Sequence, residues 1–185
     1  DITDPAIIKM FYMSQKKSGV SFSESMNALR IVPVSIAYEY DPCDLAKARE
    51  LEARARTGSY EKKADEDTRQ IVQGLTEYKG HVHVHFGEPI TDSPETPKAL
   101  AARIDREMHQ HYHLHASNIA AYDLSQVHRL SHFTAPQVPE SLETAEAYSE
   151  VEIEAARTEL ERRLAAADEA LHPFLLAMYA NPVAS

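Results

Sequence analysis

The run Ile31-Val32-Pro33-Val34-Ser35-Ile36-Ala37, followed at once by Tyr38-Glu39-Tyr40-Asp41-Pro42, constrains the fold more than any other stretch. It reads as an apolar strand, Arg30 to Tyr40, that breaks off into polar, turn-forming residues. A proline inside a strand removes a ladder hydrogen bond, so Pro33 calls for an edge, a bulge or a site. A second strand follows from the alternation His81-Val82-His83-Val84-His85-Phe86, the period of a half-buried strand. The two are expected in one sheet, with Val82, Val84 and Phe86 toward the core and the three histidines toward solvent. Two strands among many helices make an α/β segment whose sheet needs further residues to complete it.

The helices are read from periodicity and caps. Asp4 with Pro5 starts a helix to about Gln15, carrying Ile7, Ile8, Met10, Phe11 and Met13. Ser21 and Glu24 have capping-box spacing for a helix to Leu29. Asp41-Pro42 leads into a charged helix, Cys43 to Thr57, closed by Gly58, and another runs from Asp65 to Tyr78. Thr96 and Pro97 open a helix to about His113, and Asn118 to Leu130 is helical with Ile119, Tyr122 and Leu130 inward. Thr134 to Thr144, with Pro136 and Pro139, reads as a linker. Beyond it, Ala145 to Ala170 is a long helix in which Leu160, Leu164, Ala167 and Leu171 approach a heptad seam for its own body or a second copy.

Composition excludes several classes. A net charge of −10 argues against nucleic acid and against electrostatic adhesion to anionic lipid. No apolar run is long enough to span a membrane. The one cysteine, Cys43, rules out an internal disulfide. Asp1-Ile2-Thr3-Asp4-Pro5 has neither a basic nor an apolar leader region, so it is no signal peptide, and a chain opening directly on a capped helix is expected to belong to something longer. A processed N-terminus is the plain alternative.

From pattern alone, Ile31 to Asp44 is a strand leading into a capped helix. In order along the chain, however, stand Ile31–Val34, Tyr38-Glu39, the charged helix Leu45–Arg56, the mixed-charge segment Tyr60–Asp67 and the strand Val82–Phe86 ending in Phe86-Gly87-Glu88-Pro89. Over roughly residues 1–125 this order resembles the last block of the glycerolipid acyltransferases. Either tetrapeptide alone is weak, and the pairing is more specific. The resemblance implies an α/β fold: the C-terminal part of an acyltransferase domain over 1–133, a linker over 134–144 and a helical C-terminal extension over 145–185.

The resemblance also implies acyl transfer from acyl-CoA or acyl-carrier protein to glycerol 3-phosphate or 1-acylglycerol 3-phosphate, in phospholipid biosynthesis, at the cytoplasmic face of an inner membrane. Membrane lipid would be met through an N-terminal part outside this chain. No cofactor and no nucleic acid enter. In the family a histidine of an H-x-x-x-x-D motif acts as general base, oriented by the aspartate. None of the ten histidines here has Asp five positions on, the nearest pairing being His83 with Glu88. Phe86–Pro89 is also not the family's Phe-Pro-Glu-Gly block, since its order differs. The segment is therefore expected to be inactive alone and to form the wall of the site, with Pro33, Ser35 and Tyr38 near substrate. A Tyr38–Glu39 hydrogen-bonded pair at the strand end is the competing reading.

Other residues invite chemistry less strongly. His81, His83 and His85 share a strand face, while His109 with His113, and His111 with His115, have the i, i+4 spacing of zinc sites. No cysteine accompanies them and no H-E-x-x-H is present, so the favoured reading is a polar strand face and a wet helix end without a specific metal. Lys62-Lys63 beside Tyr60 reads as a solvated loop ahead of a phosphate contact. Cys43 lies at a helix N-terminus, where thiol pKa values tend to fall, yet it reads as structural. The competing class for the whole chain is a non-enzymatic α/β-helical interaction module, with a homo-oligomer through the 145–171 helix as one form.

Overall fold

A computed structural model describes residues 2–15, 19–127 and 148–183. Its elements are α1 (Pro5–Gln15), α2 (Phe22–Leu29), β1 (Val34–Tyr38), α3 (Asp44–Thr57), α4 (Glu66–Thr76), β2 (Val82–Phe86), α5 (Pro97–Gln110), α6 (Ala116–Val127), α7 (Glu150–Ala165) and α8 (His172–Ala180). The arrangement is helix-rich, with one two-stranded antiparallel sheet among the described residues. Among these residues no helix is long and apolar enough to cross a membrane. The expected linker 134–144 lies outside the described residues, as does Leu130.

Local chemistry sets the helix ends. The Asp4 carboxylate accepts from the Ala6 N–H at 2.8 Å, ahead of Pro5. Ser21 and Glu24 close a capping box on α2, and Ser149 with Glu152 does the same on α7. Thr96 accepts from the Ala99 N–H at 3.2 Å with Pro97 in the first turn of α5. Gly58, at φ 79°, ends α3 in the left-handed conformation that glycine adopts without strain. Several boundaries depart from expectation: α4 ends at Thr76 rather than Tyr78, α5 at Gln110 rather than His113, and α7 runs from Glu150 to Ala165 rather than from Ala145 to Ala170. The seam position Leu171 is reached through the 3₁₀ turn Glu169–Leu171 instead.

The chain divides into two compact units. The first is Asp1–Ala37 with His83–His113, and the second is Tyr38–Val82 with Leu114–Ser185. In the first, Ile8, Phe22, Met26, Ile90, Leu100 and Ala101 form the core, with Tyr12, Ile31 and Ile104 packed against it. Tyr12 and Phe22 meet edge-to-face at 5.3 Å. Asn27 accepts from the Ser93 N–H at 2.6 Å, which ties the Pro-rich loop to α2. Only one side of α1 is used: Ile8 is buried, whereas Met10 and Met13 are 68% and 65% exposed.

In the second unit, small residues on α6 (Ala116, Ala120, Ala121) let α7 and α8 approach closely. Leu160, Leu164, Leu171, Leu175, Leu176 and Tyr179 fill the space. The predicted seam therefore packs on its own body. Burying Leu160, Leu175 and Leu176 completely stabilises this unit by about 1.5–3 kcal/mol each. α4 buries none of its residues and leaves Ile71, Val72 and Leu75 exposed.

Strand pairing occurs within each unit. The Gly87 N–H donates to the Pro33 carbonyl at 2.9 Å, and the Glu39 N–H donates to the His81 carbonyl at 2.9 Å. These bonds fix an antiparallel register in which Ser35 faces His85, Ala37 faces His83, and Ile36 faces Val84. Ser35 and Ala37 are buried, so the histidine-bearing face is the covered one along β1. The expectation that Val82, Val84 and Phe86 face the core is overturned: they are 46%, 43% and 71% exposed. Alternation fixes which residues share a face. It does not say which face neighbouring elements cover: in the first unit the end of α5 reaches His85, which is half-buried, while the expectation that the histidines face solvent holds for His81 and His83, which are exposed.

Candidate functional site

Pro33 stands immediately before β1, at the end of the ladder, where its missing N–H forfeits only the return bond to Gly87. Its ring is buried and its carbonyl takes the Gly87 N–H, so the Ile-Val-Pro and Phe-Gly-Glu-Pro segments meet at this one bond. The pairing continues past it, with the Ile90 N–H donating to the Ile31 carbonyl at 2.8 Å. One extra residue on the β2 side between these bonds makes a bulge-like step.

The three residues expected near substrate do not share a face. Pro33 and Ser35 lie on the covered side, and Ser35 is 4% exposed. Tyr38 points the other way and is 40% exposed. Glu39 does not pair with Tyr38. Its carboxylate instead receives the His81 backbone N–H at 2.8 Å and lies 2.7 Å from His81 Nδ1. Gly80, at φ 65°, permits this: a Cβ there would run into Glu39 and Tyr40.

The opposite side of the ribbon is apolar. In the first unit Val34 and Ile36 stand across from Phe86 and Val84, and Ile36 is 47% exposed. In the second, Tyr38 stands across from Val82.

The three strand histidines take different partners. His81 goes to Glu39. His83 stacks on His113 with ring centroids 4.4 Å apart, and His85 stacks on His111 at 4.1 Å. Both stacks lie in the first unit. Beside the second sits Glu107, whose Oε1 is 3.4 Å from His111 Nε2. Sequence reasoning weighed only histidine pairs and passed over Glu107, although Glu107 and His111 have the same i, i+4 spacing. His115 is buried, and its backbone N–H donates to Asn118 Oδ1 at 2.7 Å.

The remaining expected features settle into structural roles. The Lys62 ammonium pairs with Asp67 at 2.7 Å, and the Tyr60 hydroxyl donates to Glu66 at 2.6 Å. Burial first, and then the charges of Asp41 and Asp44, push the Cys43 thiol up, opposite to the expectation from its helix N-terminus. Its Sγ lies 3.4 Å from the Gln70 carbonyl. In the second unit, Asp44 Oδ2 receives Arg163 Nη1 at 2.6 Å and the Tyr179 hydroxyl at 2.8 Å. That hydroxyl accepts from the Asp41 N–H at 3.0 Å. Burial, then the Asp44 charge, holds the Tyr179 phenol far above its usual value, so it donates and does not ionise. This buried network is closed on itself and bolts α3, α7 and α8 together.

No family model, no curated protein and no solved structure matches the chain.

Proposed function

We propose that this chain is the C-terminal part of a glycerolipid acyltransferase of phospholipid biosynthesis, inactive by itself. The complete enzyme would transfer a fatty acyl group from acyl-CoA or acyl-carrier protein to glycerol 3-phosphate or 1-acylglycerol 3-phosphate, at the cytoplasmic face of an inner membrane. The reading rests on the sequence resemblance. The observation that supports it best is that the two segments carrying the resemblance, distant in sequence, form one ribbon joined at Pro33 and Gly87.

The chemistry divides accordingly. A His–Asp base would take the proton from the glycerol hydroxyl as its oxygen attacks the thioester carbonyl, and the thiolate would leave and be protonated. None of this chain's histidines has the required aspartate five positions on. Its part would be the wall: the apolar face of Val34, Ile36, Val84 and Phe86 matches an alkyl chain, or the rest of the sheet that holds one. Pro33, with φ fixed by its ring, would keep the ribbon's entry rigid.

The test is acyl transfer by the gene product that contains this chain, compared with the 185-residue chain alone. The chain alone should be inactive. In the whole product, Ile36→Asp should lower kcat/KM by about tenfold or more, equivalent to ~1.4 kcal/mol of lost transition-state stabilisation. Pro33→Asp should act in the same direction. A whole product without acyl transfer, or one indifferent to both substitutions, would overturn the reading and leave the interaction module.

A further inference from the structure

His83 and His113 stack ring on ring, and so do His85 and His111, and the His85–His111 stack has the Glu107 carboxylate beside it. One ligand atom from each of His85, Glu107 and His111 lies within 4.8 Å of the other two. Two elements of the fold converge to give this. β2 supplies His85, the last turn of α5 supplies Glu107, and the residue that caps α5 supplies His111. Gly87 keeps the approach open: a Cβ there would sit 3.3 Å from Glu107 Oε1.

The distances suit a small cation. Bonds of ~2.0–2.1 Å in a tetrahedron place neighbouring donors about 3.3–3.5 Å apart. Glu107 Oε1 and His111 Nε2 already stand at 3.4 Å. The His85 donor lies within 4.8 Å of both, and rotation about its side-chain torsions, out of the stack on His111, turns it toward the same point. Two imidazoles and a carboxylate are the donor set of first-row transition ions and not of magnesium or calcium, which take oxygen. The outer side of the cluster is open, since the His111 side chain is 42% exposed, which leaves room for water as a fourth ligand.

We propose that His85, Glu107 and His111 bind one divalent ion of the zinc class, pinning the end of α5 to β2. The site is independent of the acyltransferase reading. It reverses the expectation from sequence, which compared only histidine with histidine and found no specific metal.

The experiment titrates the untagged 185-residue chain with Zn²⁺ alone, with Co²⁺ as the optical probe. One equivalent should bind saturably, Co²⁺ should give the visible bands of a low-symmetry site, and Mg²⁺ should neither bind nor compete. His85→Ala, Glu107→Gln and His111→Ala should each weaken Zn²⁺ binding by about tenfold or more. His83→Ala and His109→Ala should leave it unchanged. Far-UV circular dichroism of every variant shows that it is folded, and ring-proton spectra should report perturbation of His85 and His111. Absence of saturable binding by the folded wild type overturns the proposal. So does a loss from His83→Ala equal to that from His85→Ala, because it would mean diffuse adhesion to a histidine-rich surface.

Discussion

Removing the Tyr179 hydroxyl should be costly out of proportion to its single oxygen. In the second unit that hydroxyl donates to Asp44 Oδ2 at 2.8 Å and accepts from the Asp41 N–H at 3.0 Å. Tyr179 is 4% exposed and Asp44 3%, so water does not replace either bond when the oxygen is gone. A hydrogen bond to a charged group is worth about 1.5–3 kcal/mol, and an orphaned buried donor adds to its loss, so Tyr179→Phe should cost about 2–3 kcal/mol. Asp44→Asn should cost about 3 kcal/mol, the low end for breaking a buried ion pair. The low end applies because Arg163 keeps Glu159 at 2.8 Å and the Asp41 carbonyl at 3.3 Å. The two effects should fall short of additivity by about 1 kcal/mol, since both act on one carboxylate oxygen. Urea unfolding followed by circular dichroism measures this through the shift in midpoint at constant slope. A Tyr179→Phe protein within about 0.5 kcal/mol of wild type, the range of an ordinary surface change, would refute the network as the bolt between α3 and α8.

Three further outcomes follow from single positions. Gly80→Ala combines a left-handed φ of 65° with a Cβ that would sit 2.9 Å from Tyr40 Cδ2; it should destabilise by about 2 kcal/mol or more, seen as a lower thermal midpoint. Leu160→Ala empties a fully buried position on α7 and should cost about 3 kcal/mol in the same urea assay. The hydrogen bond from Arg162, and then Arg163, holds the Glu159 carboxylate below its ordinary 4.5. Because the folded value is the lower one, the stabilisation is complete above that range and is lost as pH falls through it. The stability gap between wild type and Glu159→Gln should therefore shrink on acidification, and a gap that stays constant through the acid range would contradict the pairing.

What was legible in the sequence was what neighbours along the chain decide. Ser21 with Glu24 and Thr96 with Pro97 announced the starts of α2 and α5, because a cap is settled within four residues. The strands were legible as strands for the same reason. Their orientation was not: Val82, Val84 and Phe86 carry the apolar side of the alternation yet stay exposed, and the residues covered on the other face, Ser35 and Ala37, belong to β1. The end of α7 was missed because the heptad spacing of Leu164 and Leu171 continues through the turn that breaks the helix. Glu107 was passed over because its partner His85 comes from a different element, and no local spacing joins the two.

The proposal that this ribbon belongs to an acyltransferase is tested most directly by reading the coding sequence ahead of Asp1. The expected result is an H-x-x-x-x-D motif within the roughly two hundred residues that complete an ordinary domain. A reading frame that runs that far without the motif, or that opens with a start codon immediately before Asp1, would contradict the enzyme assignment outright.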